Sequence, residues 1–220
     1  MKDLFTEDDL RRIQEAVAEA ELRTSGEIVP FIVPRSESYE VAIWKGAGLA
    51  AGLALFAAML VFHFYDGWGL GWLHTGWGTA SLTLAAGLLG GAVGAFVPVV
   101  QRLLAGADAM ARAVHRRAMK AFVEEEVFDT RDRTGILIFI SLLEHRIEVL
   151  GDAGIHQQVS EDEWVDIVER ISKGIRSGHL TDAIVEAIGM CGKLLERKGV
   201  EIRDDDDDEL PNTLRTREGH

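Results

Sequence analysis

Two long apolar segments dominate the pattern of hydrophobic and polar positions along the chain. Residues 46–65 and 67–101 contain no Lys, Arg, Asp or Glu. A bilayer core about 30 Å thick needs about 20 apolar residues in a helix that rises about 1.5 Å per residue. The pattern therefore predicts two membrane-spanning helices, at about 44–65 and 80–101, within a transmembrane hairpin that occupies residues 42–104.

Glycines four residues apart recur in both predicted spans. The pairs are Gly48 with Gly52, Gly87 with Gly91, and Gly90 with Gly94. This spacing lets two helix backbones approach closely in lipid, where van der Waals packing replaces the hydrophobic effect. We expect a tight antiparallel hairpin and, through the same Gly-rich faces, a homo-oligomer; the alternative is that glycine is simply common in membrane helices.

A helix and a strand are predicted before the hairpin. Thr6 with Asp9 resembles a capping start, and apolar residues at helical spacing follow until Gly26. Residues 27–33 then form an apolar run typical of a strand. Pro30 has no N–H to donate to a neighbour, so this strand is expected at an edge or at a bulge.

After the hairpin, the pattern predicts a helix, two strands and two further helices. The predicted ranges are 107–127, 135–142, 146–150, 160–178 and 181–198. The first of these strands is a near-continuous apolar run, which is typical of a central strand covered on both faces. The last residues, 201–220, begin with a dense acidic run and are predicted to be a solvated, disordered tail.

The strands on the two sides of the hairpin are expected to pair in one sheet, because an isolated strand or hairpin buries too little apolar surface. The predicted fold class is α/β, with a small mixed sheet covered by helices and interrupted by the two-helix transmembrane hairpin. Residues 1–41 supply the first part of this domain and residues 105–200 the remainder. The hairpin then lies within the crossover between the first two strands.

The distribution of charge predicts the orientation in the membrane. The flanks of the hairpin carry six bases, at Arg35, Lys45, Arg102, Arg112, Arg116 and Arg117, whereas residues 66–78 contain none. Basic residues favour the cytoplasmic side, and the tryptophans of that loop suit the opposite interface. The acidic start predicts no signal peptide. We expect an inner-membrane protein with two spans and both termini in the cytoplasm.

Composition excludes several classes of protein. The chain has 36 acidic and 23 basic residues, a net charge of −13, which is the wrong sign for binding nucleic acid. Its single cysteine, Cys191, excludes an internal disulfide and a thiolate zinc cage. Its histidines lack the spacing of a zinc site, and His63 is expected at the membrane interface. Ser141 lies in an apolar strand without a base that the sequence reveals.

Three short motifs carry a resemblance to a known family. They are Thr24–Val29 after the first helix, Arg133–Gly135 entering the central strand, and Gly151–Ile155 leaving the next strand. Together with the order of elements, they resemble the TPM domain, a family named for thylakoid lumen, photosystem II repair and levamisole-receptor modulator members. The chain looks like the bacterial branch in which a membrane hairpin interrupts the domain.

The resemblance implies an α/β sandwich and non-catalytic roles in the assembly or modulation of membrane complexes. It also implies calcium binding in some members and an acid-phosphatase-like activity in the lumenal branch. We therefore expect an adaptor or assembly factor with a membrane-protein partner. The alternatives are a metal-dependent acid-phosphatase-like enzyme and an accessory subunit of an oligomeric membrane assembly.

The resemblance makes Asp152 the first candidate for contact with a metal such as calcium or with a partner. Asp129, Asp132 and Glu27 are expected near the same edge of the sheet, and hard cations prefer several oxygen ligands. We take Asp152, Asp132 and Glu27 as the hypothetical metal ligands. The competing interpretation is that Asp152 and Gly154 shape a turn.

Three bases at helical spacing follow the second span. Arg112, Arg116 and Lys120 share one helix face beside the predicted bilayer. Each base near an anionic lipid surface contributes about 1 kcal/mol of attraction, so this face is a candidate lipid contact. The alternative is that these bases form salt bridges with Glu124 or Glu125.

Overall fold

The computed structural model describes residues 4–65, 70–200 and 210–216. The chain divides into two compact units, each described by itself below. The sheet unit comprises Met1–Glu37 and Ala111–His220, and the hairpin unit comprises Ser38–Met110.

The described residues fold into α-helices and one mixed sheet. The helices are α1 (Glu7–Glu21), α2 (Glu40–Phe64), α3 (Gly76–Phe96), α4 (Pro98–Ala105), α5 (Ala107–Glu124), α6 (Ala153–His156), α7 (Val165–Ser177) and α8 (Leu180–Arg197). The strands are β1 (Glu27–Val33), β2 (Gly135–Ser141), β3 (Arg146–Gly151) and β4 (Arg215–Thr216). The predicted α/β class is confirmed.

The sheet has the order β3-β2-β1-β4. Strands β1 and β2 are parallel and pair along their whole length, from Glu27 opposite Gly135 to Val33 opposite Ser141. Strand β3 returns antiparallel to β2. Helices α2 to α5 therefore lie within the crossover from β1 to β2, as parallel strands require a long connection.

Alternating side chains of β1 and β2 fill two apolar cores, one on each face of the sheet. On one face, Ile28, Ile32 and Ile138 pack with residues of α1, α7 and α8. On the other face, Phe31 and Phe139 stack with their ring centroids 5.7 Å apart and pack against α5. This burial on both faces explains why the two strands are almost wholly apolar.

Strand β4 corrects two expectations. The sequence predicts a disordered tail over residues 201–220, but Arg215 and Thr216 pair in parallel with Phe31 and Ile32 of β1. Strand β1 consequently has a neighbour on both sides, so Pro30 does not mark the edge of the sheet. The acidic composition of the preceding residues favours a solvated tail, so the sequence pattern did not indicate this short strand. Residues 201–209 lie outside the described part of the chain.

Helices α2 and α3 of the hairpin unit are both long and apolar enough to cross a membrane. Each contains 18 consecutive residues of high hydropathy with at most two charged side chains, and most side chains of both helices are exposed. A Cβ atom added to Gly90 would overlap Gly46 O and Ala50 Cβ, and one added to Gly94 would lie 2.6 Å from Ala42 O. The two helices therefore pack backbone to backbone.

The second apolar helix ends earlier than predicted. Helix α3 spans Gly76–Phe96 instead of 80–101, and a separate helix begins at Pro98. Proline cannot donate a backbone hydrogen bond and disfavours helical angles at the preceding residue. Val97 is accordingly extended, with φ −101° and ψ 104°.

Aromatic side chains expected at the membrane interface are exposed in the described part of the connection. Trp72 and Trp77 have half or more of their surface accessible. Trp68, which belongs to the same expected belt, lies outside the described residues.

Candidate functional site

The three motifs that carry the family resemblance lie at one end of the sheet. Here β1 and β2 begin and β3 ends. The Thr134 hydroxyl donates a hydrogen bond of 2.6 Å to Ser25 O, which joins the first and second motifs. The backbone N–H of Asp152 donates to Gly135 O over 2.9 Å, which joins the second and third.

Two glycines permit the close approach of these segments. A Cβ atom at Gly135 would overlap Val127 O, and one at Gly154 would lie 2.5 Å from Asp132 O. The N–H of Gly154 also donates to Arg133 O over 3.0 Å. Space for the backbone therefore explains both Gly135 and Gly154, whereas the sequence suggested a turn at Gly154 and no role for Gly135.

Asp152 caps α6 and forms an ion pair with Arg133. Its Oδ1 accepts from Ala153 N at 2.7 Å and from Arg133 Nη2 at 3.2 Å, while Oδ2 lies 2.7 Å from Arg133 Nε. The last contact lacks hydrogen-bond geometry, so Oδ2 is buried with an ionic neighbour alone. The side chain of Asp152 is 7% exposed and that of Arg133 is 54% exposed. A cation approaching Asp152 must compete with Arg133.

Arg133 holds this position from a left-handed backbone conformation. Its φ is +58°, which is uncommon for a residue other than glycine. The guanidinium also lies 5.7 Å from the centre of the Phe128 ring. The sequence identified Arg133 as part of a motif, but not as the partner of Asp152, because the two are 19 residues apart.

The other hypothetical metal ligands do not join Asp152 in a cluster. Glu27 is buried and its Oε2 accepts the N–H of Leu210 at 3.3 Å, whereas Asp132 is exposed. Within residues 4–65, 70–200 and 210–216, no three His, Cys, Asp or Glu side chains are grouped so that they could hold a metal ion. Calcium binding by Asp152, Asp132 and Glu27 stays a prediction.

The candidate basic face of α5 is largely paired with acids of the sheet unit. Arg116 Nη2 lies 2.6 Å from Glu37 Oε2, and Lys120 Nζ lies 3.5 Å from Glu124 Oε1. Arg112 is exposed. The salt-bridge alternative is therefore realised at Lys120, and lipid contact by the three bases stays a prediction.

A buried polar network that the sequence did not reveal lies at the opposite end of the sheet. The Ser141 hydroxyl donates to Glu144 Oε2 and accepts from Ser36 Oγ at 2.8 Å. Glu144 Oε1 also accepts the N–H of Ser36 at 2.9 Å. Ser141 is wholly buried and serves this network, which fastens the β2–β3 turn to the residues after β1.

Near the same end of the sheet unit, a cavity of about 520 Å³ is lined by apolar residues together with Asp9, Arg12, His145, His179, Thr181 and Asp182. Arg12 Nη2 lies 2.6 Å from Asp182 Oδ1, and this hydrogen bond raises the pKa of Arg12. The guanidinium of Arg12 is therefore already paired with an acid.

The single cysteine is chemically protected. Cys191 is wholly buried in the core between α8 and the sheet, and burial raises the pKa of its thiol to about 12. The reactive thiolate form is accordingly suppressed.

Comparison with known proteins shows a similarity to a solved structure. Neither a family model nor a curated protein matches the chain. The NMR structure of the BA42 protein from the psychrophilic bacterium Bizionia argentinensis is similar, with a TM-score of 0.58 and 21% identity. The match covers 97% of this chain and 95% of that chain. The two proteins share a fold.

Proposed function

We propose that the chain is a membrane-anchored, TPM-like domain protein that acts as a non-catalytic adaptor or assembly factor for a membrane complex. The observation that carries this proposal is the insertion of two exposed apolar helices, α2 and α3, into the crossover of a well-packed sheet unit. Apolar helices with little cover require lipid or a partner. The sheet unit is then held at the membrane.

The sheet end supports an adaptor more than an enzyme. Its buried carboxylate Asp152 forms an ion pair with Arg133 and caps a helix, so both charges serve the architecture. The contacts among the three TPM-like motifs support a shared structural core. Partner recognition then falls to other surfaces of the sheet unit.

The proposal places both termini in the cytoplasm and the connection between α2 and α3 on the opposite side of the inner membrane. The support is the contrast between the bases that flank the hairpin and the absence of bases from residues 66–78.

Purification in mild detergent tests the adaptor function. The full chain and a hairpin-only chain of residues 38–110, both tagged, are expressed at equal levels and their co-purifying proteins identified. We expect a membrane-protein partner with the full chain and its loss with the hairpin alone, because the sheet unit makes the contact. The same proteins in equal yield from both chains would contradict an adaptor role for the sheet unit.

A second candidate function, an accessory subunit in an oligomer, is favoured by the outer face of α2. Gly48 and Gly52 have no atom within 4 Å of a Cβ built on them, whereas Gly46, Gly90 and Gly94 are used within the hairpin. The double variant Gly48→Leu with Gly52→Leu is expected to lower the molar mass of the detergent complex, measured by light scattering. An unchanged mass would count against this candidate.

A further inference from the structure

Residues 210–216 form a clip across the edge of β1. Leu210 packs against the core on the α5 face of the sheet, and Leu214 packs against the core on the opposite face. The N–H of Leu210 donates to Glu27 Oε2 over 3.3 Å. This segment therefore fixes one leucine on each side of the sheet.

Arg215 adds a charged anchor to the clip. Its Nη1 donates to the backbone oxygen of Glu125 over 2.7 Å and lies 3.1 Å from Glu125 Oε2. The side chains of Arg215 and Glu125 are only 14% and 13% exposed. Charge-assisted hydrogen bonds with little solvent access are stronger than surface pairs. The site beside Glu125 therefore favours a guanidinium group.

Few residues of the clip take part in backbone pairing. Within residues 210–216, Arg215 and Thr216 pair with Phe31 and Ile32 of β1, and the five residues before them make no ladder pair. Within the described residues, Asn212 Oδ1 is buried without a hydrogen-bond partner, which carries a free-energy penalty. A longer or better-matched strand would therefore bind this edge more favourably than the clip does.

We propose that this edge of β1 is a docking site for an extended partner segment, which residues 210–216 occupy until the partner displaces them. Such a partner adds a strand parallel to β1, with two leucines four residues apart and an arginine directly after the second. Main-chain hydrogen bonds give affinity in this mode and side-chain pockets give specificity. The inference deepens the adaptor function and rests on it for its biological meaning.

A peptide-binding measurement tests the site with the chain in detergent micelles. The probe is a fluorescent peptide with the sequence of residues 210–216, titrated with the full chain and with a chain that lacks residues 210–220. We expect saturable binding to the shortened chain and at least tenfold weaker binding to the full chain. The reason is that a tethered segment competes at an effective concentration of about millimolar.

A charge exchange provides the matched control. The peptide with Arg215→Glu is expected to bind the shortened chain at least tenfold more weakly, and Glu125→Arg in that chain is expected to restore its binding. Equal binding of both peptides would overturn the inference, and so would no binding to a shortened chain that melts cooperatively.

If the shortened chain fails to melt cooperatively, the full chain with Arg215→Glu replaces it. That variant is expected to bind the native peptide more tightly than the unmodified chain, and equal binding would overturn the inference. A negative result here leaves the purification test of the adaptor function standing, because that test does not depend on β4.

Discussion

At the scale of single residues, the ion pair between Arg133 and Asp152 is the contact with which a cation at this end of the sheet would have to compete. A buried carboxylate with one ionic partner is already compensated, and removing that partner leaves an uncompensated charge. Arg133 reaches this position from a left-handed backbone conformation, which the surrounding contacts must stabilise. Cation binding and ion pairing are therefore competing states of the same carboxylate.

Calcium should accordingly have little effect on the stability of the unmodified protein. A ligand at a hundredfold excess over its Kd raises the free energy of unfolding by about 2.7 kcal/mol. Thermal melting with calcium at cytoplasmic levels is expected to show no such rise. A large rise that disappears in Asp152→Ala would contradict this expectation and favour the metal-dependent alternative; Arg133→Ala tests whether the ion pair is what excludes calcium.

The buried thiol predicts a loss of stability at alkaline pH. Burial raises the pKa of Cys191 from 9.0 to about 12, so the folded state retains the proton that the unfolded state releases. The stabilisation is complete below pH 9 and is lost as the pH rises towards 12. From pH 8 to pH 10.5, the free energy of unfolding should fall by about 2 kcal/mol through this group.

Chemical denaturation of the unmodified protein and of Cys191→Ala at both pH values measures this effect. The unmodified protein should lose about 2 kcal/mol more than the variant, which has no thiol to titrate. An equal loss in both proteins would show that the thiol ionises in the folded state as readily as in the unfolded state.

At the scale of elements, local signals in the sequence were sufficient where partners lie within one turn. The capping boxes of Thr6 with Asp9 and Ser160 with Glu163 are both present, and Gly178 ends α7 in a left-handed conformation. Contacts between distant segments were not visible in the same way. The pairing of Asp152 with Arg133 and the docking of β4 depend on the assembled sheet.

In the hairpin, too, the sequence predicted the elements but not the contacts between them. Its two helices could be predicted from apolar length, but the spacing of glycines did not reveal which pairs make the contact. Gly90 and Gly94 approach α2 closely, whereas Gly48 and Gly52 face open space. A small-residue motif therefore identifies a surface that permits close packing, and its partner depends on how each helix is rotated.

A substitution in the hairpin tests this assignment. Gly90→Leu introduces a side chain where even a Cβ overlaps Gly46 O, so α2 and α3 must separate. Gly52→Leu adds the same apolar volume on the open face and serves as the matched control. We expect Gly90→Leu to lower the melting temperature in detergent by several degrees and to abolish a disulfide engineered between α2 and α3. Gly52→Leu should leave the engineered disulfide intact, and loss of the disulfide in both variants would contradict the assignment.

At the scale of the whole molecule, the sheet unit is assembled from segments on both sides of the hairpin. Strand β1 pairs with all seven positions of β2 and contributes side chains to both apolar cores. If the residues after the hairpin are expressed alone, β2 therefore lacks its parallel neighbour β1. We therefore expect the segments before and after the hairpin to depend on each other for folding.

A joined protein of residues 1–41, a short linker and residues 105–216 should consequently fold and unfold cooperatively without the hairpin. Residues 105–216 by themselves should lack a cooperative transition, because β2 then has no β1 beside it and the cores on both faces of the sheet are incomplete. Thermal unfolding followed by circular dichroism distinguishes the two proteins. Equal stability of the fragment and the joined protein would contradict this interdependence.

Insertion of the hairpin with both termini in the cytoplasm is tested most directly by paired reporter fusions. An enzyme that is active only outside the cytoplasm is fused at residue 70, between α2 and α3, and in a second strain at the C-terminus. We predict activity at residue 70 and none at the C-terminus, with equal expression of both fusions. Activity at the C-terminus, or at neither position, would contradict a membrane-anchored domain that faces the cytoplasm.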